Sequence, residues 1–232
     1  MFHLPDMMQL LVRIPVMIPA LVLHELGHAY VALRCGDDTA KRAGRITLNP
    51  VAHLDLIGTI CLLFAPIGWA KPVPINPYYF RKPRRDEILV SIAGVTTNFA
   101  QALIFLLLAK IIIPLLPMPV ESTQWNPVKP GPVDFALVFL FLGVVINIGL
   151  GIFNLIPLFP LDGSHIVSNL LPYEQRRKFD EFGKMAPFVL LALVFFGGSV
   201  LSAIVRGPTV LLLQNVLNGD DLLKISIALG NI

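Results

Sequence analysis

Four stretches of this sequence are long enough to cross a bilayer as helix and contain no Lys, Arg or Asp: Ile14–Leu33, Ile88–Ala109, Phe135–Leu161 and Met185–Val205. A hydrocarbon core of about 30 Å takes roughly 20 apolar residues as helix, and each stretch supplies them. The expected fold is therefore all-α, a polytopic membrane protein. Composition agrees. Only 14% of the 232 residues are charged and 55% are hydrophobic, whereas a soluble domain carries roughly 25% charge to cover its surface. Disorder is excluded by the same hydrophobicity. The two cysteines, Cys35 and Cys61, have no CxxC spacing and make no disulfide scaffold. Met1–Gln9 lacks a basic leader, so no cleavable signal is expected.

Two shorter runs are ambiguous. Leu56–Ala70 holds Gly58, Pro66 and Gly68, and Gly207–Gly219 is shorter still, an interfacial helix or part of a last, tilted span. Charge decides the first. Most of the 18 basic residues fall in three clusters: Arg34 to Arg45, Lys71 to Arg85, and Arg176 to Lys184. If Leu56–Ala70 re-enters and returns, all three lie on one face, which the positive-inside rule makes cytoplasmic. A re-entrant or edge-strand segment is thus expected there, buried in protein or lining a wet cavity. The net charge of +3 then reflects topology and lipid headgroups, with no nucleic acid as partner.

Chemistry concentrates at His24-Glu25-Leu26-Gly27-His28 in the first stretch. Four helical residues turn through about 400°, so both imidazoles share a face. This is the HExxH arrangement, two histidines for zinc and a glutamate beside the bound water. Ionisable side chains are costly inside a membrane and are usually functional there. A catalytic zinc takes a third protein ligand. The candidate is Asp162, ending the string Asn154-Leu-Ile-Pro157-Leu-Phe-Pro160-Leu-Asp162-Gly163, whose prolines break the helix and could turn the carboxylate inward. An ordinary Asp-Gly turn at the membrane edge is the other reading.

HELGH in one span and NLIPLFPLDG ending a later one resemble the site-2 protease family of intramembrane zinc metalloproteases. The strings Gly44–Asp55 and Arg84–Asn98 resemble it too, although Val95 stands where the family often has proline. The resemblance implies a three-helix catalytic core with additional C-terminal spans and one Zn2+ per chain, held by His24, His28 and Asp162 near the cytoplasmic side. Glu25 would be the general base. Neither the PDZ insertion nor the nucleotide-binding regulatory region of some family members is evident.

The sequence thus leads to one integral-membrane peptidase domain over 1–232, with a catalytic core at about 7–165 and C-terminal helices at about 174–232. Its expected work is peptide hydrolysis in or near transmembrane segments of membrane-protein substrates in the cell membrane, as in regulated intramembrane proteolysis. Asn98 is a candidate oxyanion donor or substrate-positioning group, with an interhelical hydrogen bond as its alternative. Asn154 is read as supporting the site or clamping unwound substrate. His53 and His165 are read as loop and turn residues. A membrane metal-binding or transport protein using the same ligands is the competing class. It would have no need of a base beside a ligand histidine.

Overall fold

The computed structural model describes residues 7–56, 58, 69–121 and 129–231. Among them the chain forms α1 (Met7–Cys35), α2 (Thr39–Arg42), α3 (Pro83–Ile112), α4 (Pro132–Asn154), α5 (Asp162–Leu170), α6 (Tyr173–Gly183), α7 (Ala186–Phe196), α8 (Gly198–Val216) and α9 (Gly219–Asn231). Three helical segments, Leu10–Cys35, Pro83–Leu115 and Pro132–Asn154, are long and apolar enough to cross a membrane. The protein is an all-α polytopic membrane protein.

Local chemistry sets the helix ends. α1 stops at Gly36, whose φ of 113° suits a residue without a Cβ. The Asp37 N–H reaches Ala32 O at 2.9 Å and the Gly36 N–H reaches Leu33 O at 3.2 Å, a Schellman closure that satisfies two terminal carbonyls. α3 and α4 both open with proline in the first turn, where its missing N–H costs nothing. The carboxylates of Asp86 and Asp134 accept the N–H of Lys82 and Gly131, each at 2.8 Å.

α3 packs along α4 and α1 as the central helix. Leu106, Ala109 and Ile113 interlock with Leu137, Val144 and Ile148, and Leu213, Ile225 and Ala228 of α8 and α9 complete the cluster. Small residues let the backbones approach. A Cβ on Gly143 would lie 2.2 Å from the Phe105 ring, and one on Gly27 would lie 3.1 Å from Ala93 O.

The three basic clusters gather at one end of the bundle. Arg81 N–H donates to Cys35 O at 3.1 Å, Arg45 reaches the carbonyls of Lys71 and Pro72, and Arg176 lies 4.0 Å from Glu87 on the first turns of α3. The ends of the Leu56–Ala70 run meet in an isolated antiparallel bridge between Leu54 and Ala70. The interior of that run, residues 59–68, lies outside the described residues, and with it the expected re-entrant strand.

The C-terminal part departs from expectation. Met185–Val205 is not one continuous helix: it is interrupted at Gly197 between α7 and α8. The 11 residues of α7 cover only about 16 Å as helix, and α8 carries Arg206 and Pro208 within it. Much of the Gly207–Gly219 run is the second half of α8. The apolar run was long enough, but Gly197-Gly198 interrupts the helix inside it.

At the opposite end from the basic clusters, buried Lys224 of α9 donates to Ile113 O at 3.0 Å and Leu116 O at 2.7 Å, closing the turn that follows α3. Lys224→Met is expected to strand these carbonyls and lower stability by about 2 kcal/mol. Thermal unfolding in detergent micelles measures it, and an unchanged midpoint would contradict the assignment.

Candidate metal centre

α1 brings His24 and His28 together one turn apart, their rings edge to face at 84° with centroids 4.6 Å apart. Their Nε2 atoms are 3.0 Å apart. Asp162 Oδ2 lies 3.3 Å from His24 Nε2 and 3.4 Å from His28 Nε2. Among the described residues these three form the group able to share a metal ion.

The hydrogen bonds behind the triangle decide its chemistry. His28 Nδ1 lies 2.7 Å from Val90 O, and a carbonyl only accepts, so Nδ1 carries the proton. Asn98 Nδ2 donates to Ala20 O at 3.3 Å and to Asn147 Oδ1 at 3.1 Å. Its Oδ1 therefore accepts from His24 Nδ1, at 2.6 Å. With both protons at Nδ1, both Nε2 atoms of the neutral rings present bare lone pairs. Asp162 Oδ2 is buried without a hydrogen-bond donor. Three lone pairs that face one another with no proton between them fit a cation. Bonds of about 2.0–2.1 Å to a tetrahedral zinc would place donors roughly 3.3–3.4 Å apart, close to the edges observed.

Two sequence features make room for this. α4 ends at Asn154, and the Pro157 and Pro160 segment turns tightly, Leu161 N–H meeting Leu158 O at 2.9 Å, so that Asp162 opens α5. Gly163 lies against the Leu155 carbonyl, 2.2 Å from where its Cβ would be, and Gly94 of α3 faces the imidazoles, its Cβ position 2.4 Å from His28 Nε2. Asp162 brings a carboxylate oxygen to the third corner.

A cavity of about 330 Å³ opens onto the triangle. Glu25 lines it beside the histidines, with an apolar wall from Pro72, Val73, Ile75 and Phe80 and a polar wall that includes Glu87, Asn154 and His165. One Glu25 oxygen, Oε2, accepts the Val73 N–H at 3.0 Å.

The other candidates fall into place by their partners. Asn98 is fully buried and spends both ends of its amide inside the bundle. These are interhelical hydrogen bonds, the alternative that the sequence left open for Asn98, and its Oδ1 meets His24 Nδ1. Asn154 lines the cavity while donating to Leu150 O at 3.0 Å. His53 is held by Thr47 O at 2.9 Å, within its own loop. His165 is helical, not in a turn, and meets Glu87 at 3.2 Å. Sequence reasoning missed Asn147, detectable as an amide in an apolar run, and Val90, whose backbone carbonyl leaves no trace in side-chain chemistry.

A membrane-spanning helix bundle that converges two imidazoles and a carboxylate on one point, with a further carboxylate beside them, defines a candidate intramembrane metallohydrolase. Comparison with known proteins agrees. The family model for peptidase family M50 matches residues 13–197. The chain is 41% identical over 179 residues to the protein named "Putative zinc metalloprotease YwhC" of Bacillus subtilis (strain 168), covering 76% of this chain and 77% of that one. It is 31% identical over 183 residues to "Putative zinc metalloprotease Rip2" of Mycobacterium tuberculosis (strain ATCC 25618 / H37Rv), covering 76% of this chain and 61% of that one. A zinc metalloprotease of Methanocaldococcus jannaschii is 27% identical over 152 residues, 66% of this chain and 32% of that one. No solved structure matches the chain at a significant level. The chain belongs to peptidase family M50, the family of site-2 proteases.

Gly94→Ala is expected to push the His28 imidazole aside and lower bound zinc at least tenfold, although Gly to Ala within a helix otherwise favours folding by about 1 kcal/mol. Metal analysis of the purified variant measures it. Full zinc occupancy would show that the helices can separate without cost.

Proposed function

We propose that this protein is an intramembrane zinc endopeptidase, hydrolysing peptide bonds in or near the transmembrane segments of other membrane proteins. One observation carries the reading: two imidazole nitrogens and a carboxylate oxygen converge in a cavity that Glu25 also lines, among helices able to span a bilayer. His24, His28 and Asp162 would hold one Zn2+ per chain, which supplies Lewis acidity and activates water. Glu25 takes the proton of the attacking water and passes it to the leaving amine. Asn98, through His24 Nδ1, keeps that imidazole in register for the metal. The apolar wall opposite Glu25 receives the substrate's side chains, and Asn154 offers an amide to its unwound backbone.

The basic end of the bundle lies cytoplasmic by the positive-inside rule, which puts the cavity toward that side of the cell membrane. Residues 1–232 act as one domain, with the catalytic core at about 7–165 and the C-terminal helices at about 174–232 bracing it. Regulated intramembrane proteolysis, in which a membrane-tethered protein is released by a cut in its anchor, is the process this chemistry suits. Transport with the same ligands has no support, because the Glu25 carboxylate stands beside them and outside the ligand triangle.

Glu25→Gln is expected to keep one zinc per chain and to lose at least 10²–10⁴-fold in cleavage of a model transmembrane substrate. Equal cleavage by variant and wild type would sink the hydrolase reading. Asn98→Ala is expected to weaken zinc binding by about 10–100-fold, read by competition with a chelator of known affinity. Unchanged affinity would remove Asn98 from the site.

A further inference from the structure

The segment from Ala70 to Pro77 runs along the cavity as a strap with few backbone donors. Pro72, Pro74 and Pro77 have none. Each N–H with an assigned partner meets a group elsewhere in the fold: Lys71 donates to His53 O at 2.8 Å, Asn76 to Asp37 Oδ2 at 2.7 Å, and Val73 to Glu25 Oε2 at 3.0 Å. The carbonyls of Lys71 and Pro72 are gripped by Arg45 at 2.5 and 3.0 Å. Arg45 is 6% exposed and Asp37 is fully buried. Buried side chains therefore fix the strap on both sides of Val73, and its N–H is held in place before any substrate arrives.

That N–H meets Glu25, which with Glu87 is one of the two carboxylates in the cavity that are not proposed metal ligands. A carboxylate accepting an amide N–H makes a charge-assisted bond, about twice as strong as a neutral one. Free in a cavity of this size, the Glu25 side chain would sample several rotamers, of which few suit proton transfer. We infer that the backbone N–H of Val73 is a positioning group for the general base: it ties Oε2 of Glu25 and leaves Oε1 for the proton of the attacking water. Arg45 and Asp37 then act through the strap, without touching the reacting atoms. The inference rests on the assignment of Glu25 as base and adds what aims it. The strap borders the same cavity that takes substrate, so a strap displaced by a poorly fitting segment would also misalign Glu25.

The test removes the N–H and little else. Val73→Pro in the full-length, zinc-loaded protein is expected to lower kcat about 10–100-fold with KM within about twofold, the pattern of an interaction used in the transition state. Bound zinc stays at one per chain. Val73→Ala, which keeps the N–H, is expected to turn over at least tenfold faster than Val73→Pro. Wild-type kcat in Val73→Pro, or an equal loss in both variants, would overturn the inference.

Amide hydrogen exchange supplies an activity-independent reading and does not need Val73→Pro to fold. Between Pro72 and Pro74 the Val73 amide is the one exchangeable backbone proton. Its exchange is expected to accelerate at least tenfold in Glu25→Ala, and an unchanged rate would refute the bond. The two levels separate cleanly. Activity in Glu25→Gln refutes the protease mechanism, whereas an inactive Glu25→Gln beside a fully active Val73→Pro refutes only the role of the strap.

Discussion

Two imidazole lone pairs and a carboxylate oxygen face one another across gaps of 3.0 to 3.4 Å, an arrangement that is repulsive without a cation. Much of the surrounding structure maintains it. Val90 O and Asn98 Oδ1 take the Nδ1 protons, so neither ring can turn its N–H inward to relieve the clash. Asn98 is itself fixed by Ala20 and Asn147, which links α1, α3 and α4 through one amide. In a medium that punishes unpaired polar groups, this network places the metal site and joins the helices in the same set of bonds.

The same logic explains the small residues. Gly94 stands where any side chain would strike the imidazoles, and Gly163 where one would strike the carbonyl of Leu155. Neither is needed for its φ angle. Both are needed for the space they leave, since the third ligand arrives from a proline-broken end of α4 and the first two from mid-helix. The site joins a rigid pair, one turn apart on α1, to a carboxylate carried by irregular backbone. Hydrophobic packing of α3 against α4 holds the two parts in register.

Around this centre an irregular segment lines the cavity. The strap from Ala70 to Pro77 has little regular structure of its own and is held by side chains reaching from elsewhere. Its anchoring by Arg45 gives the string Gly44–Asp55 a physical role: the arginine reads the carbonyls of a segment more than twenty residues further on. The membrane-facing side of α3, with Leu103, Ile104, Leu107 and Ile111 exposed, is what a bilayer would cover.

The sequence by itself determined the solvent, the spans of α1, α3 and α4, the shared face of His24 and His28, and the helix break that frees Asp162. Each of these depends on local rules, namely apolar length, helical period and the missing proline N–H. Tertiary structure alone decided the tautomers, the role of Asn98, the contributions of Val90, Asn147 and Gly94, and the contact between Glu25 and Val73. Those rest on backbone atoms and empty space brought together across 48 to 78 positions of chain, and neither a carbonyl nor a missing side chain announces its partner in the sequence. The Met185–Val205 run is interrupted as a helix for the converse reason. Hydropathy measures affinity for lipid, while the continuity of a helix depends on the glycines within it.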